Sequence, residues 1–316
     1  MSTLPPFLHP IPTKLASQYT EAVFEHKYPL ARGHCLWWPS LSGSTRTVVF
    51  FVPGNPGLAK FYIPFLSALH SHLKAKDTSV LAQSLLGHTP SVDSEGECGL
   101  LAQVQSVIEA VSAIRKTHAH ARIVLIGHSV GAWICLQAFK HNPEDVESLF
   151  LLFPTISQIR NSPNGRRLQW AFQPPLPSII AKVSPLLQFL PSAILPFIFS
   201  DWPQEQVNVL RSLLSSPRSI FSCLSMAHEE MNAIRDLEAD VLNAFKNKLH
   251  FYFAEQDDWV GQEKDVILRC FHGDASSVKV IHGHHGIPHA FCINHGKELA
   301  EQCVDWMYSE PTDRLD

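Results

Sequence analysis

The sequence predicts an α/β fold with a mostly parallel central sheet, helices on both faces, and an apolar helical cap insertion. Short apolar runs such as Thr45–Val52 lack the alternation of a half-solvated strand, which indicates burial on both faces. Between such runs, segments such as Gly99–Thr117 repeat apolar residues at helical spacing. Strands that alternate with helices in this way form a parallel sheet covered on two sides.

Composition bounds the class of protein. The chain has 316 residues, 45% of them hydrophobic, and a net charge of −4, which suits one large α/β domain with an insertion. No basic stripe interleaved with aromatic residues is present, so we expect no nucleic-acid partner. The seven cysteines are scattered and form no CxxC pair, which indicates a reduced compartment. The N-terminus lacks the pattern of a secretory signal. None of these features predicts the oligomeric state.

The predicted elements divide the chain into three parts. Residues 1–155 form the first part of the core, 156–236 the insertion, and 237–316 the second part of the core. The proline-rich residues 1–30 are expected to be an irregular lead-in. Strands are predicted over Cys35–Pro39, Thr45–Val52, Ser79–Leu86, Ile123–Ile126, Ser148–Phe153, Lys248–Ala254 and Ser277–Ile281, and helices over Tyr62–Leu73, Gly99–Thr117, Ala132–His141, Val266–Phe271 and Ile293–Met307.

The insertion contains an unusually apolar stretch, Pro174–Trp202, with six prolines and with Lys182 as its one charged residue before Asp201. The prolines leave no unbroken apolar span long enough to cross a bilayer, so we expect short helices bounded by prolines. Two interpretations stay open at this point. The stretch packs inward as a lid over an active site, or it enters a lipid monolayer with Trp202 at the interface, and both can hold together.

The pattern Gly127-His128-Ser129-Val130-Gly131 lies between a predicted strand and a predicted helix. In that context G-x-S-x-G places a serine on a sharp turn, with its hydroxyl above the sheet and a helix N-terminus behind it. We predict that Ser129 is a nucleophile. The alternative is an ordinary serine N-cap of a helix.

A serine hydroxyl needs a histidine to accept its proton and a carboxylate to orient that histidine. In this fold class the order along the chain is Ser, acid, His, with the last two on loops after late strands. The acidic turn after Ala254 offers Glu255, Asp257 and Asp258. The spacing from the acid to Val260, which returns to the core, favours Asp257, with Asp258 as the alternative.

The loop that follows the last predicted strand is rich in histidine. His289 follows Gly286-Ile287-Pro288 and precedes a helix, which is where the general base is expected, so we predict His289 in this role. His284 and His285 are the alternatives, and His295 is expected on the surface of a helix. Cys292 is the one other ligand type nearby, so we expect no metal site and no cofactor.

Acyl transfer also needs two preorganised N–H groups that face the developing oxyanion. The residue after the nucleophile, Val130, supplies one. The loop after the Thr45–Val52 strand reads Pro53-Gly54-Asn55-Pro56, and its position predicts that the Asn55 N–H is the second donor. Pro56 has no N–H and cannot serve.

Five motifs together resemble the lipid droplet-associated hydrolase family of the α/β-hydrolase superfamily, over about residues 45–305. They are Val52-Pro-Gly-Asn-Pro-Gly57, Gly127-His-Ser-Val-Gly131, Phe153-Pro-Thr-Ile156, Ser162-Pro-Asn-Gly165 and His289-Ala-Phe291. The resemblance implies a Ser129-His289-Asp257 triad. One departure is Ala254, where the acid loop of such hydrolases more usually has glycine.

The resemblance also implies a function. It implies a serine hydrolase that cleaves carboxylic esters of neutral lipids, either sterol esters or acylglycerols, through an acyl-enzyme. It places the protein on lipid droplets and the endoplasmic reticulum, at their cytosolic face. The alternative function is a droplet-coating or tethering protein whose hydrolase activity is weak or vestigial. A third alternative is a soluble thioesterase or peptidase with an ordinary apolar lid.

Overall fold

A nine-stranded sheet forms the centre of the computed structural model. The structure describes residues 4–12, 18–73, 75–93, 96, 98–189, 194–271, 279–283 and 286–308, with only the backbone of 188 and 189. In chain order the strands are β1 Leu8–Pro10, β2 Thr20–His26, β3 Ala31–Trp38, β4 Thr47–Val52, β5 Thr78–Gln83, β6 Arg122–His128, β7 Ser148–Leu152, β8 Leu249–Phe253 and β9 Lys279–His282.

The order of the strands creates a crevice at the centre of the sheet. In space the order is β1-β2-β3-β5-β4-β6-β7-β8-β9. Strands β4 to β9 pair in parallel. Three pairs are antiparallel: β1 with β2, β2 with β3, and β3 with β5. The chain runs from β4 outward to β5 and then returns across β4 to β6. Ligands of open α/β sheets bind at such a switch point, beyond the carboxyl ends of the strands.

Helices cover both faces of the sheet, which confirms the predicted α/β fold with a mostly parallel central sheet. Strand β4 shows the alternation, because Val48 and Phe50 belong to one buried cluster and Val49 and Phe51 to the other. The helices are α1 Ile63–His72, α2 Leu100–Thr117, α3 Val130–His141, α4 Pro163–Leu168, α5 Leu176–Val183, α6 Ile194–Ile198, α7 Gln204–Leu214, α8 Pro217–Ala233, α9 Ala239–Ala244, α10 Glu263–Arg269 and α11 Gly296–Tyr308. Residues of α2 and α3 line the first cluster, and residues of α1 and α11 line the second.

The prediction that residues 1–30 form an irregular lead-in was wrong. Strands β1 and β2 lie in this stretch, and β2 pairs with β3 along its whole length. Pro10 belongs to the edge strand β1, where the missing N–H of proline is tolerated. Proline content therefore misled the prediction, because the prolines lie outside β2, whose own residues contain none.

Six helices, α4 to α9, lie between β7 and β8 in the described residues, together with short 3₁₀ turns. Helix α5 starts after Pro175, and α6 has only five residues, so short helices replace the apolar span. Among the described residues, no helix is both long enough and apolar enough to cross a membrane. Trp202 is half-buried and packs against Phe199 and Phe61, with ring centroids 4.7 and 6.4 Å away.

Candidate active site

Ser129 stands on the turn between β6 and α3, at the switch point of the sheet. Its φ of 54° lies in the left-handed region, which is uncommon for a residue with a Cβ and marks a strained turn. The two glycines of the motif permit this turn. A Cβ on Gly127 would collide with the carbonyl oxygen of Gly131, and one on Gly131 with that of Val52.

A histidine and a carboxylate complete a hydrogen-bonded row with this serine. His289 Nε2 is 2.9 Å from Ser129 Oγ, and His289 Nδ1 is 2.8 Å from Asp257 Oδ2. The histidine follows the loop after β9, and the aspartate follows β8. Residues separated by more than 100 positions therefore meet beyond the carboxyl ends of the parallel strands, as the order Ser, acid, His predicts.

The surroundings of Asp257 favour its ionised form. Burial by itself opposes ionisation, but the hydrogen bonds with His289 and with the N–H groups of Trp259 and Val260 outweigh it, so the pKa of Asp257 is lowered. Those two N–H groups donate to Oδ1 over 2.9 and 3.1 Å. Asp257 therefore carries a negative charge that can hold a proton on His289 Nδ1 and stabilise the imidazolium.

The neighbouring acids lie in different environments. Asp258 and Glu255 are exposed, and it is the backbone carbonyl of Asp258 that accepts a hydrogen bond, from Asn164 N–H over 2.9 Å. The alternative Asp258 is thus not brought to the histidine. The predicted choice of Asp257 rests on Val260 returning to the core, and Val260 is buried.

The element Ser162-Pro163-Asn164-Gly165 supports the acid loop. Ser162 is the N-cap of α4 and accepts a hydrogen bond from Gly165 N–H over 3.0 Å. Pro163 lies against Gly261, where an added Cβ would stand 2.9 Å from its Cδ. Together with the bond from Asn164 N–H, these contacts hold both ends of the turn that presents Asp257.

Of the other candidate histidines, the structure describes His295. His284 and His285 lie outside the described residues. His295 was expected on a helix surface, but it is half-buried just before α11, with Nδ1 3.5 Å from Glu298 Oε1. Over the described ranges, no group of three or more His, Cys, Asp or Glu side chains is arranged to hold a metal ion.

The loop after β4 approaches the serine closely. A Cβ on Gly54 would stand 2.7 Å from Ser129 Cβ, so only glycine allows this approach. The turn is closed by Gly57 N–H, which donates to the Gly54 carbonyl over 2.7 Å. Among the residues that the structure describes, none accepts a hydrogen bond from the backbone N–H of Asn55 or of Val130. Within the described part of the chain, both predicted donors thus keep their N–H groups for a ligand beside Ser129.

A buried chain of hydrogen bonds joins this loop to the histidine. Gly54 N–H donates to the Tyr62 hydroxyl over 3.3 Å, and Tyr62 O–H donates to His128 Nδ1 over 2.7 Å. His128 Nε2–H then donates to the carbonyl of His289 over 2.9 Å. Burial lowers the pKa of His128 well below its ordinary value, so the ring stays neutral and keeps this direction of donors.

Sequence reasoning missed Tyr62, His128 and one further residue, Glu230, which binds Asn55 from α8 over 3.0 Å. His128 stands inside the serine motif, directly before the nucleophile. Glu230 continues the buried stripe of α8 at helical spacing from Cys223 and Met226. A carboxyl group in an apolar stripe is a signal that the sequence offered.

The order of the strands, the strained serine turn and the late acid and histidine loops define the chain as an α/β-hydrolase. Solved structures agree on the fold. A haloalkane dehalogenase from Agrobacterium tumefaciens matches with a TM-score of 0.66 and 16% identity over 93% of this chain and 98% of that chain. A family model described as lipid-droplet associated hydrolase matches residues 45–292. The chain belongs to that family.

Named relatives agree with this assignment. The lipid droplet-associated hydrolase of Mus musculus is 28% identical over 295 residues, 84% of this chain and 86% of that protein. The protein of that name in Homo sapiens is also 28% identical, over 82% of this chain and 84% of its own length. A carboxylesterase structure from Nitrososphaera gargenis has a TM-score of 0.62 and 13% identity over 90% of this chain and 97% of that chain.

Proposed function

We propose that the protein is a serine esterase that hydrolyses carboxylic esters of neutral lipids, sterol esters or acylglycerols, at the surface of lipid droplets. The observation that carries the proposal is the row Ser129 Oγ, His289 Nε2, His289 Nδ1 and Asp257 Oδ2, with gaps of 2.9 and 2.8 Å. Such a row, on a strand-to-helix turn, is the arrangement that activates a serine hydroxyl.

In this proposal Ser129 Oγ attacks the ester carbonyl carbon while its proton passes to His289 Nε2. The carbonyl oxygen becomes an oxyanion, which accepts hydrogen bonds from the N–H groups of Asn55 and Val130. As the tetrahedral intermediate collapses, the alcohol leaves and takes the proton from His289. Water then attacks the acyl-enzyme through the same histidine, which releases the carboxylic acid and restores Ser129. Asp257 stabilises the imidazolium in both steps.

The lipid class and the location are supported by the family and by the outer surface of the insertion. Residues 156–236 act as a cap between the core parts 1–155 and 237–316. Six exposed apolar side chains of this cap form what we call the apolar face: Ile179, Val183, Leu186, Leu187, Phe197 and Ile198. Such a set of exposed apolar side chains is typical of a surface that meets lipid or a partner protein.

Docking through short helices suits a monolayer. Helix α5 buries Pro177 and Ala181 against the protein and exposes Ile179 and Val183, one turn apart, on its other side. If four such side chains enter lipid, the gross gain is about 6–12 kcal/mol before ordering costs. The proposed location is the droplet surface and the cytosolic face of the endoplasmic reticulum.

A second candidate function is a droplet coat or tether with weak activity. The observation that favours it is the same apolar face, which binds lipid whether or not the serine reacts. The two functions differ in what Ser129 contributes.

The test is labelling with a fluorophosphonate probe, together with hydrolysis of a short-chain p-nitrophenyl ester and of emulsified cholesteryl oleate and triolein. We expect wild type to be labelled and active, and Ser129→Ala to lose both while it still floats with droplets. Ser42→Ala is the matched control, because it changes an exposed serine that is far from Ser129 in the sequence.

A wild-type protein that is neither labelled nor active on any of the three esters would overturn the esterase proposal and leave the coat. Labelling of Ser129→Ala at the wild-type rate would move the nucleophile elsewhere. Activity on the p-nitrophenyl ester without activity on either emulsion would contradict the proposed lipid class alone.

A further inference from the structure

The side chain of Asn55 is bound by helix α8 of the cap. Its Nδ2 group donates one hydrogen bond to the carbonyl of Cys223 over 2.9 Å and a second to Glu230 Oε1 over 3.0 Å. Both protons of the amide are therefore used on one helix, 168 and 175 residues further along the chain. This fixes the rotation of the residue whose backbone N–H is the proposed oxyanion donor.

The next residue of the loop is held from the same side. The carbonyl of Pro56 accepts a hydrogen bond from His88 Nδ1 over 2.9 Å and one from the Cys223 thiol over 3.4 Å. His88 and Cys223 are themselves buried, with Nδ1 and Sγ 3.2 Å apart. Asn55 and Pro56 are thus held by the buried groups Cys223, Glu230 and His88.

Burying the carboxyl group of Glu230 costs free energy. Glu230 is only 4% exposed and accepts from a neutral amide, while burial raises its pKa to about 8, with the nearby Glu229 acting in the same direction. The other titratable groups on this side are the buried Cys223 and His88, and burial holds both of them neutral. An apolar residue would fill the space without that cost. What Glu230 adds is the hydrogen bond that it accepts from Asn55.

We propose that Glu230 is a positioning residue for ester hydrolysis, which holds the Asn55 side chain so that the Asn55 backbone N–H faces the oxyanion. The inference rests on the proposed function. It makes α8 of the cap part of the oxyanion hole, since the helix sets the direction of one of its two donors.

The consequence is kinetic. The oxyanion exists only in the transition state and the tetrahedral intermediate, so a misplaced donor lowers kcat and leaves KM almost unchanged. Loss of a whole oxyanion donor typically costs about 10²–10³ in kcat. Because the N–H would be displaced and not removed, we expect a loss of about 10–100-fold.

The experiment compares Glu230→Leu, Glu230→Gln and wild type on a p-nitrophenyl ester, with active sites counted by fluorophosphonate titration. Glu230→Leu removes the acceptor, so kcat per titrated site should fall about 10–100-fold at constant KM. Glu230→Gln keeps a neutral oxygen for Asn55 and should restore most of that loss. Counting active sites separates a positioning effect from a smaller folded fraction.

Glu229→Gln is the matched control on the same helix. Glu229 binds the backbone N–H of Leu100 over 2.6 Å and has no bond to Asn55, so its replacement should alter stability and not kcat per site. A double-mutant cycle adds a second test. Asn55→Ala retains the backbone N–H and loses the side chain, so it should cost as much as Glu230→Leu, and the double variant no more than either.

Three results would overturn the inference: unchanged kcat per site in Glu230→Leu, no recovery in Glu230→Gln, or fully additive losses in the cycle. Each of these needs an active wild type. An inactive and unlabelled wild type would refute the proposed function instead, so the two failures are distinguishable.

Discussion

Asp257 and Asp258 are adjacent carboxylates that the fold treats in opposite ways. Asp257 accepts hydrogen bonds from two backbone N–H groups and from His289, while Asp258 points to solvent. At the scale of a single residue, the number of donors around a carboxylate decides whether it is an orienting anion or a solvated surface charge.

Asp257→Asn should lower kcat by about 10³–10⁴, because an amide allows the tautomer of His289 that cannot accept the proton of Ser129. Steady-state hydrolysis of a p-nitrophenyl ester measures the loss. The neighbouring change Asp258→Asn is the control and should alter kcat by less than about twofold. A larger loss in the control than in Asp257→Asn would shift the acid by one position.

Glu230 makes stability depend on pH. Its folded-state pKa is about 8 against an ordinary value of 4.5, so the folded protein keeps a proton that the unfolded chain loses. The stabilisation from this proton is complete below about pH 4.5 and is lost as pH rises through 8. The loss amounts to at most about 5 kcal/mol.

Glu230→Gln should therefore be more stable than wild type at pH 8 and similar to it at pH 5. Urea unfolding between pH 5 and pH 9 measures the difference, with Glu229→Gln as the control that keeps Glu230. Parallel stability curves for wild type and Glu230→Gln over this range would show that Glu230 does not titrate in the folded protein above its ordinary range.

At the scale of elements, the helices of the proposed cap divide their apolar residues between two surfaces. Ile180 and Ala181 of α5 pack toward the sheet, whereas Ile179 and Val183 face outward. Trp202 was expected at a lipid interface, but it packs on Phe61 and belongs to the inner surface. The inner side of these short helices suits the proposed lid, and the outer side suits the proposed docking surface.

Replacing Leu186, Leu187, Phe197 and Ile198 with serine should release the protein from triolein droplets coated with phosphatidylcholine. These side chains are exposed, up to 83% for Phe197, so the change should leave the melting temperature nearly unaltered. Flotation together with a melting curve measures both effects.

The matched control replaces Leu30, Leu41 and Leu101, which are 68–79% exposed and lie outside the cap. It removes comparable apolar surface elsewhere and should still float. If the cap variant is folded and still floats, the apolar face is not the anchor.

At the scale of the whole molecule, a partly buried polar network connects the N-terminal hairpin to the loop before α1. Glu21 Oε2 is 2.9 Å from Lys60 Nζ and 3.2 Å from His34 Nε2. His34 Nδ1 accepts from Ser84 Oγ over 3.1 Å, and Ala59 N–H donates to that oxygen over 2.9 Å. The residue types repeat those of the candidate active site, but Ser84 and His34 are buried, so this serine is closed to a substrate.

The bonds from His34 and Lys60 lower the pKa of Glu21 from 4.5 to about 2, against the opposing effect of burial. The stabilisation is complete above about pH 4.5 and is lost as pH falls toward 2. Glu21→Gln should cost up to about 3 kcal/mol at pH 7 and little at pH 2.5. Urea unfolding at both values measures this, and a cost that does not change with pH would contradict it.

Most elements and the serine turn could be predicted from the sequence because their signals are local. A run such as Thr47–Val52 carries its own burial pattern, and G-x-S-x-G defines a turn within five residues. The chain order of the acid and the histidine also pointed to Asp257 and His289. Family resemblance added the lipid class, which no periodicity contains.

Tertiary structure alone decided what depends on distant partners. Strands β1 and β2 belong to the sheet because β2 pairs with β3 and β3 pairs with the later strand β5. The prolines near these strands outweighed such pairings in the sequence-based prediction. The bond between Asn55 and Glu230 spans 175 residues, so neither sequence position indicates the other. The outward side of the cap helices was likewise undetermined, because a helix that is apolar around most of its surface acquires an inside only when it packs against a sheet.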